Sequence, residues 1–142
     1  MKHKLNHLVE ITSSTPLDHD HSVGFHDVRP FNRSNNNLVL LHRYPLNSLG
    51  FKKKDNISIE ICLWDTSKNT IEKIDESEAW SWEQGSRLQW VNEKEFIYNK
   101  RIDGKLAACI YDIEKKSIKT LKNTVYSINK NKHFLHINFS RL

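Results

Sequence analysis

Long apolar runs, a glycine pattern and a cysteine framework are all missing from this chain of 142 residues. No stretch approaches the ~18 to 20 uninterrupted apolar residues of a membrane helix. Met1 to Ile11, with Lys2, His3, Lys4, Asn6, His7 and Glu10, lacks the apolar core of a secretory leader. Neither a membrane span nor export is therefore expected. Cys62 and Cys109 are too few for a disulfide scaffold and, in a chain rich in lysine and asparagine, point to a reducing cytoplasm. Four glycines leave little room for a phosphate cradle, and no P-loop, Gly-x-Gly-x-x-Gly or Gly-x-Ser-x-Gly occurs. A helical stripe of apolar residues over about ten positions is also absent.

What remains is the composition of one globular domain, 37% hydrophobic and 27% charged, with mean hydropathy -0.66. Lysine and arginine number 22 against 17 aspartates and glutamates, a net charge of +5. The one tight basic run, Lys52-Lys53-Lys54, is followed by Asp55. A nucleic-acid reader gathers its charge on one face within a known motif, so this run reads as a solvated loop tip and no specific nucleic-acid partner is expected.

The periodicity that is present has a repeat of two. Ile57, Ile59, Ile61 and Leu63 alternate with Ser58, Glu60, Cys62 and Trp64, as in a strand with two distinct faces. β-Branched and aromatic residues cluster again at Leu38 to His42, Phe96 to Asn99, Leu106 to Tyr111, Ile118 to Leu121 and His133 to Phe139. Turn-forming residues bound each cluster, which predicts an all-β chain of antiparallel hairpins.

Those hairpins repeat. Ile59 to Ile74 aligns without a gap on Leu106 to Leu121 at an offset of 47, matching Cys62 with Cys109, Trp64 with Tyr111 and Asp65 with Asp112. In each copy an aspartate follows an aromatic residue and starts a polar turn by bonding its own backbone. Pro30 to Arg43 aligns on Leu88 to Arg101 at an offset of 58, so 58 - 47 = 11 extra residues are assigned to the first unit's Tyr44 to Asn56 connection. The expected fold is two four-stranded antiparallel units, about 26–76 and 80–123, with the start of a third at 125–142 and a polar segment at 1–24.

Four-stranded units of about 40 to 50 residues, each with an aromatic-Asp turn, follow the habit of β-propeller blades. Pro30-Phe31-Asn32, a polar turn and Leu38-Val39-Leu40-Leu41 resemble the blade opening of TolB-like propellers. Trp80 to Trp90 and the terminal Asn138 to Leu142 are similar to uncharacterised bacterial members of that group, distant relatives of oligogalacturonate lyases. Trp64-Asp65 has a WD-repeat look, but no Gly-His pair opens either unit. A closed propeller takes at least four blades, about 160 residues. Two blades and a beginning cannot close, so a missing propeller portion or self-association through exposed blade edges is implied.

Two groups of residues stand out as candidate sites. Trp82, Gln84, Arg87 and Gln89 combine stacking surface with amide and guanidinium donors, suited to a glycan or a small anionic ligand, while tryptophans here could equally be wedges between blades. If Ser86 to Val91 is a regular strand, Arg87 and Gln89 share the exposed face and Leu88 and Trp90 the buried one. His19 and His21, two apart on a strand, with His26 nearby, have a spacing used by divalent-metal sites; a polar loop explains them as well. In oligogalacturonate lyases histidines and a glutamine hold a divalent metal, but no glutamine precedes His19 here. Cys62 and Cys109 read as buried thiols. These features suit a non-catalytic binding or assembly module, with a metal-dependent polysaccharide lyase or hydrolase as the alternative.

Overall fold

The computed structural model describes residues 10–46, 57–129 and 132–138. Its strands are β1 (His19–Ser22), β2 (Leu38–Pro45), β3 (Ile59–Asp65), β4 (Thr70–Ser77), β5 (Gln89–Trp90), β6 (Glu95–Ile102), β7 (Lys105–Asp112), β8 (Ser117–Leu121), β9 (Ser127–Ile128) and β10 (Phe134–Leu135). They form three antiparallel sheets, ordered β1-β2-β3-β4, β5-β6-β7-β8 and β10-β9, none of them closed. Among the described residues there is no helix, so none is long and apolar enough to cross a membrane. Lys52, Lys53 and Lys54 lie outside the described residues.

The N-terminal boundary differs from expectation. His19–Ser22 is no separate polar segment, because it pairs with the end of β2, His19 opposite Pro45 and Ser22 opposite His42. Pro30-Phe31-Asn32 contributes only the single bridge between Phe31 and Val39. Asn32 leaves the ladder there: its Oδ1 accepts the backbone N–H groups of Ser34 and Asn35 at 3.0 and 3.1 Å and turns the chain. Asp65 and Asp112 make the expected turns in the same way, Asp65 Oδ1 accepting from Ser67 and Lys68 and Asp112 Oδ1 from Glu114 and Lys115.

The repeat holds, with one correction of register. Thr66 N–H donates to Asn37 O in the first sheet and Ile113 N–H to Lys94 O in the second, so 113 - 66 = 47 but 94 - 37 = 57. β3 and β7 correspond at 47, whereas β2 and β6 correspond at 57 instead of 58, and the extra connection is 57 - 47 = 10 residues. One residue matters in a strand because it exchanges the two faces. His42, and not Leu41, is therefore the counterpart of Asn99.

The corrected register explains the packing. Leu40 and Ile61, with Leu63 and Ile74 at the margin, pack from the first sheet onto Phe96, Tyr98, Cys109 and Tyr111 of the second. The second sheet's opposite face, at Ile97 and Ala108, packs on Val125 and Ile128 of the third segment. The sheets thus stack face to face in three layers, and each large apolar side chain buried between them contributes about 1.5 to 3 kcal/mol. Cys109 lies between the first two sheets. Cys62 is equally buried, on the first sheet's other face.

Candidate functional site

The loop from Glu78 to Leu88, between β4 and β5, is shaped by its own backbone and by one histidine. Ser81 and Gly85 exchange two backbone hydrogen bonds of 3.1 and 2.8 Å, and Ser81 Oγ accepts the Gln84 N–H at 3.2 Å. Gly85 has φ +57°, and a Cβ there would stand 2.2 Å from His42 Cε1, so two independent constraints demand glycine. The His42 ring is fully buried. Its Nε2 accepts the Ser86 N–H at 3.2 Å and lies 2.9 Å from Ser86 Oγ. An accepting Nε2 places the proton of the neutral ring on Nδ1, which has no partner among the described residues. Burial holds the pKa of this imidazole down, at about 4.

The next sheet uses the same device with an amide. Asn99 Oδ1 accepts the Val125 N–H at 2.7 Å, and Asn99 Nδ2 donates to Val125 O at 2.9 Å. At each junction a buried polar side chain from the second strand thus holds the backbone arriving for the next sheet.

Between this loop and the β6–β7 hairpin lies a cleft of about 220 Å³, lined in part by Glu78, Trp80, Gln84, Arg87, Asn99 and Arg101. A second cleft, of about 550 Å³, shares the wall of Arg101, Leu106 and Thr124 and adds Lys105 and His136. In the lining of the smaller cleft Arg87, Asn99 and Thr124 are buried, while Gln84 is half-exposed and Arg101 exposed. Arg101 Nη1 donates to Gly104 O at 2.9 Å, which steadies the guanidinium at the cleft mouth. Across both linings the charged groups are Arg87, Arg101 and Lys105 against the single carboxylate Glu78.

Of the four residues expected to bind ligand, two line the cleft. Gln84 does so from a half-exposed position. Arg87 does so from beneath, 2% exposed, its guanidinium donating to both carboxylate oxygens of Asp27 at 3.1 and 2.9 Å and to Tyr126 O at 2.8 Å. It also sits 4.3 Å from the Tyr126 ring centre. Gln89 is buried, donating to Arg87 O and Tyr126 O at 3.0 and 3.2 Å. Trp82 packs elsewhere, stacked on Tyr44 at 5.6 Å and edge-on to Trp80 at 4.7 Å. The expected exposed pair, Arg87 and Gln89, is therefore a buried pair, and Trp90 is only half-buried. The reason is local: Arg87 has φ +59°, so strand alternation does not run through it and regular pairing begins only at Gln89. Asn99, Arg101 and Thr124 were missed because they reach the cleft from other elements; the lone signal was the basic Lys100-Arg101 beside a Gly104 turn.

The three histidines do not converge. His19 and His21 share a face of β1 with ring centres 6.3 Å apart, but His26 packs on Phe25 with ring centres 4.0 Å apart and planes tilted by 43°. Asp18 lies 3.2 Å from His19 Nδ1. Burial, and next the charge of Arg43, hold the His21 pKa below its ordinary value. Among the described residues no three His, Cys, Asp or Glu side chains are grouped to hold a metal, so the expected set of His19, His21 and His26 does not assemble. Neither cysteine is activated: burial pushes the Cys62 thiol up to about 12 and the Cys109 thiol in the same direction.

Comparison with protein-family models, curated proteins and solved structures finds no match to this chain.

Proposed function

We propose that this chain is a non-catalytic binding module, part of a β-propeller of the TolB-like kind, whose cleft beside Arg101 holds a small anionic ligand such as a carboxylated sugar. The observation that carries this reading is the charge balance of the two adjoining clefts. With Arg87 already paired to Asp27, the cations left for a ligand are Arg101 and Lys105 against the single carboxylate Glu78, and exposed Arg101 and half-exposed Gln84 line the smaller cleft as donors. A carboxylate offers the acceptors that a guanidinium fork and an amide can meet together.

Catalysis is the weaker reading at this cleft. General acid–base hydrolysis uses a pair of carboxylates or a histidine beside a nucleophile. Glu78 is the one carboxylate of the two linings, and His136 Nδ1 is engaged with Thr124, 2.9 Å from its hydroxyl. The two buried free thiols accord with a cytoplasmic protein. Further propeller sheets from another polypeptide or a longer chain would complete the stack.

Isothermal titration of the full chain with galacturonate, glucose and glucosamine tests the reading. Galacturonate should bind and the neutral and cationic sugars should not. Equal binding of glucose, or no binding of any anion, would reject it.

A further inference from the structure

We infer that the outer edge of β10 is a docking site for an extended, acidic and apolar strand supplied by another polypeptide. Asn129 N–H donates to His133 O as Val91 N–H donates to Glu95 O, so 129 - 91 = 38 and 133 - 95 = 38. That shift lays β10 on β6 and puts Phe134 and Leu135 at the places of Phe96 and Ile97. Phe96 and Ile97 are both 0% exposed, whereas Phe134 is 41% and Leu135 57% exposed.

The difference lies in what sits alongside. β2 has β3 on its outer edge and β6 has β7, but β10 has no outer neighbour among the described residues. Unpaired backbone with exposed apolar side chains is the template for strand addition. The two existing sheets define the strand that fits: antiparallel, alternating, and ending in an aromatic residue followed by aspartate.

Charge selects the acidic version. Past Glu114 the chain has no aspartate or glutamate, only Lys115, Lys116, Lys119, Lys122, Lys130, Lys132 and Arg141 as charged side chains. In the first sheet Glu60 stands opposite Arg43 and Asp65 opposite Leu38. Carried through shifts of 57 and 38, Arg43 falls on Asn138 and Leu38 on His133. A strand patterned like β3 would therefore bring its glutamate beside the cleft of Arg101, Lys105 and His136, which has no carboxylate in its lining, and its aspartate against His133. Lys132 faces the other way, into a groove with Glu93, Glu95 and Asp112. The β10 of a second copy fits poorly, since the segment after Glu114 has no aspartate or glutamate to set against that cleft.

The test uses the full chain and a fluorescent synthetic peptide copying Ile59–Asp65, with three controls: a scrambled peptide, the same peptide carrying Glu60→Lys and Asp65→Lys, and oligouridylate. Anisotropy should show the acidic peptide binding, more weakly as salt is raised. The scrambled and lysine peptides and the RNA should bind at least about tenfold less tightly. Leu135→Asp, at an exposed position, and separately Lys105→Glu should each weaken the peptide by a similar factor without lowering the melting temperature. Equal binding of the scrambled peptide or of RNA would overturn the inference. So would unchanged binding by both variants, or a sedimenting dimer that Leu135→Asp dissociates. Galacturonate titration of Leu135→Asp keeps the two readings apart, because cleft binding should survive in that variant.

Discussion

Arg87 and Asp27, 60 positions apart, form a two-point ion pair at the junction of all three sheets, with N–O distances of 3.1 and 2.9 Å. The arginine is buried and the aspartate side chain is 37% exposed, so one partner is held by protein and the other keeps contact with water. The hydrogen bonds from Arg87 are the leading reason the Asp27 carboxyl titrates below its ordinary range. Because Arg87 Nε also donates to Tyr126 O, one side chain connects the segment before β2, the start of the second sheet and the start of the third.

Arg87→Ala should therefore unsettle the fold before it affects any ligand. Removing one member of a buried pair costs about 3 to 5 kcal/mol, with the lower end expected here because Asp27 stays partly hydrated. Urea denaturation would show the loss. A variant as stable as the parent but deficient in anion binding would contradict the structural role.

His42 predicts an acid-sensitive junction. Its folded pKa, about 4, lies below the ordinary 6.5, so between those values the unfolded chain binds a proton that the folded chain does not. Stability should be full above pH 6.5 and fall by about 3 kcal/mol as the pH drops towards 4. His42→Asn, borrowing the residue at the equivalent place in the second sheet, should flatten the profile over that window. Denaturation midpoints collected against pH for both proteins decide the matter, and parallel curves would exonerate His42.

Gly85 and Gly104 both have positive φ, +57° and +74°, but only Gly85 is crowded. Gly104→Ala should cost about 1 to 2 kcal/mol for the left-handed backbone alone. Gly85→Ala adds a collision with the His42 ring and should cost roughly 1 to 3 kcal/mol more. Thermal melts of the two variants measure the gap, and equal losses would mean that the ring moves aside freely.

Arg101→Ala should leave the melting temperature unchanged, because the side chain is exposed and, among the described residues, donates only to a hairpin carbonyl. Galacturonate binding should weaken by at least about tenfold, consistent with loss of a charged hydrogen bond. Retained affinity in this variant would move the ligand away from the cleft.

Cys62 and Cys109 should resist thiol reagents until the protein unfolds, being buried with thiol pKa values raised by that burial. Reaction with a disulfide reagent in increasing urea should follow the unfolding transition. Fast labelling in buffer would show that one of the sheets opens locally.

Much of the fold was legible in the residues themselves. Period-two alternation from Ile57 to Trp64 marked β3 to within two residues, the cluster Leu106 to Tyr111 marked β7 to within one, and the repeated aspartates at 65 and 112 located their turns, because these signals are local chemistry. The second-strand offset was not legible to a single residue: Leu38 to Leu41 and Phe96 to Asn99 align as acceptably at 58 as at 57. Only the cross-strand hydrogen bonds choose between them. The same limit hid Asn99 and Arg101, which reach the cleft from a strand other than the loop that carries Gln84 and Arg87.

Sequence alone determined that this chain forms short antiparallel strands in two similar units and a remnant, since alternation and turn chemistry act over a few neighbouring residues. Tertiary structure decided which polar residues are inside. Arg87 and Gln89 look like surface residues until the left-handed backbone at Arg87 turns the guanidinium inward, where Asp27 and the Tyr126 carbonyl are there to receive it. A buried charge is tolerable only when distant groups supply its partners, and that pairing becomes visible only once the sheets have stacked.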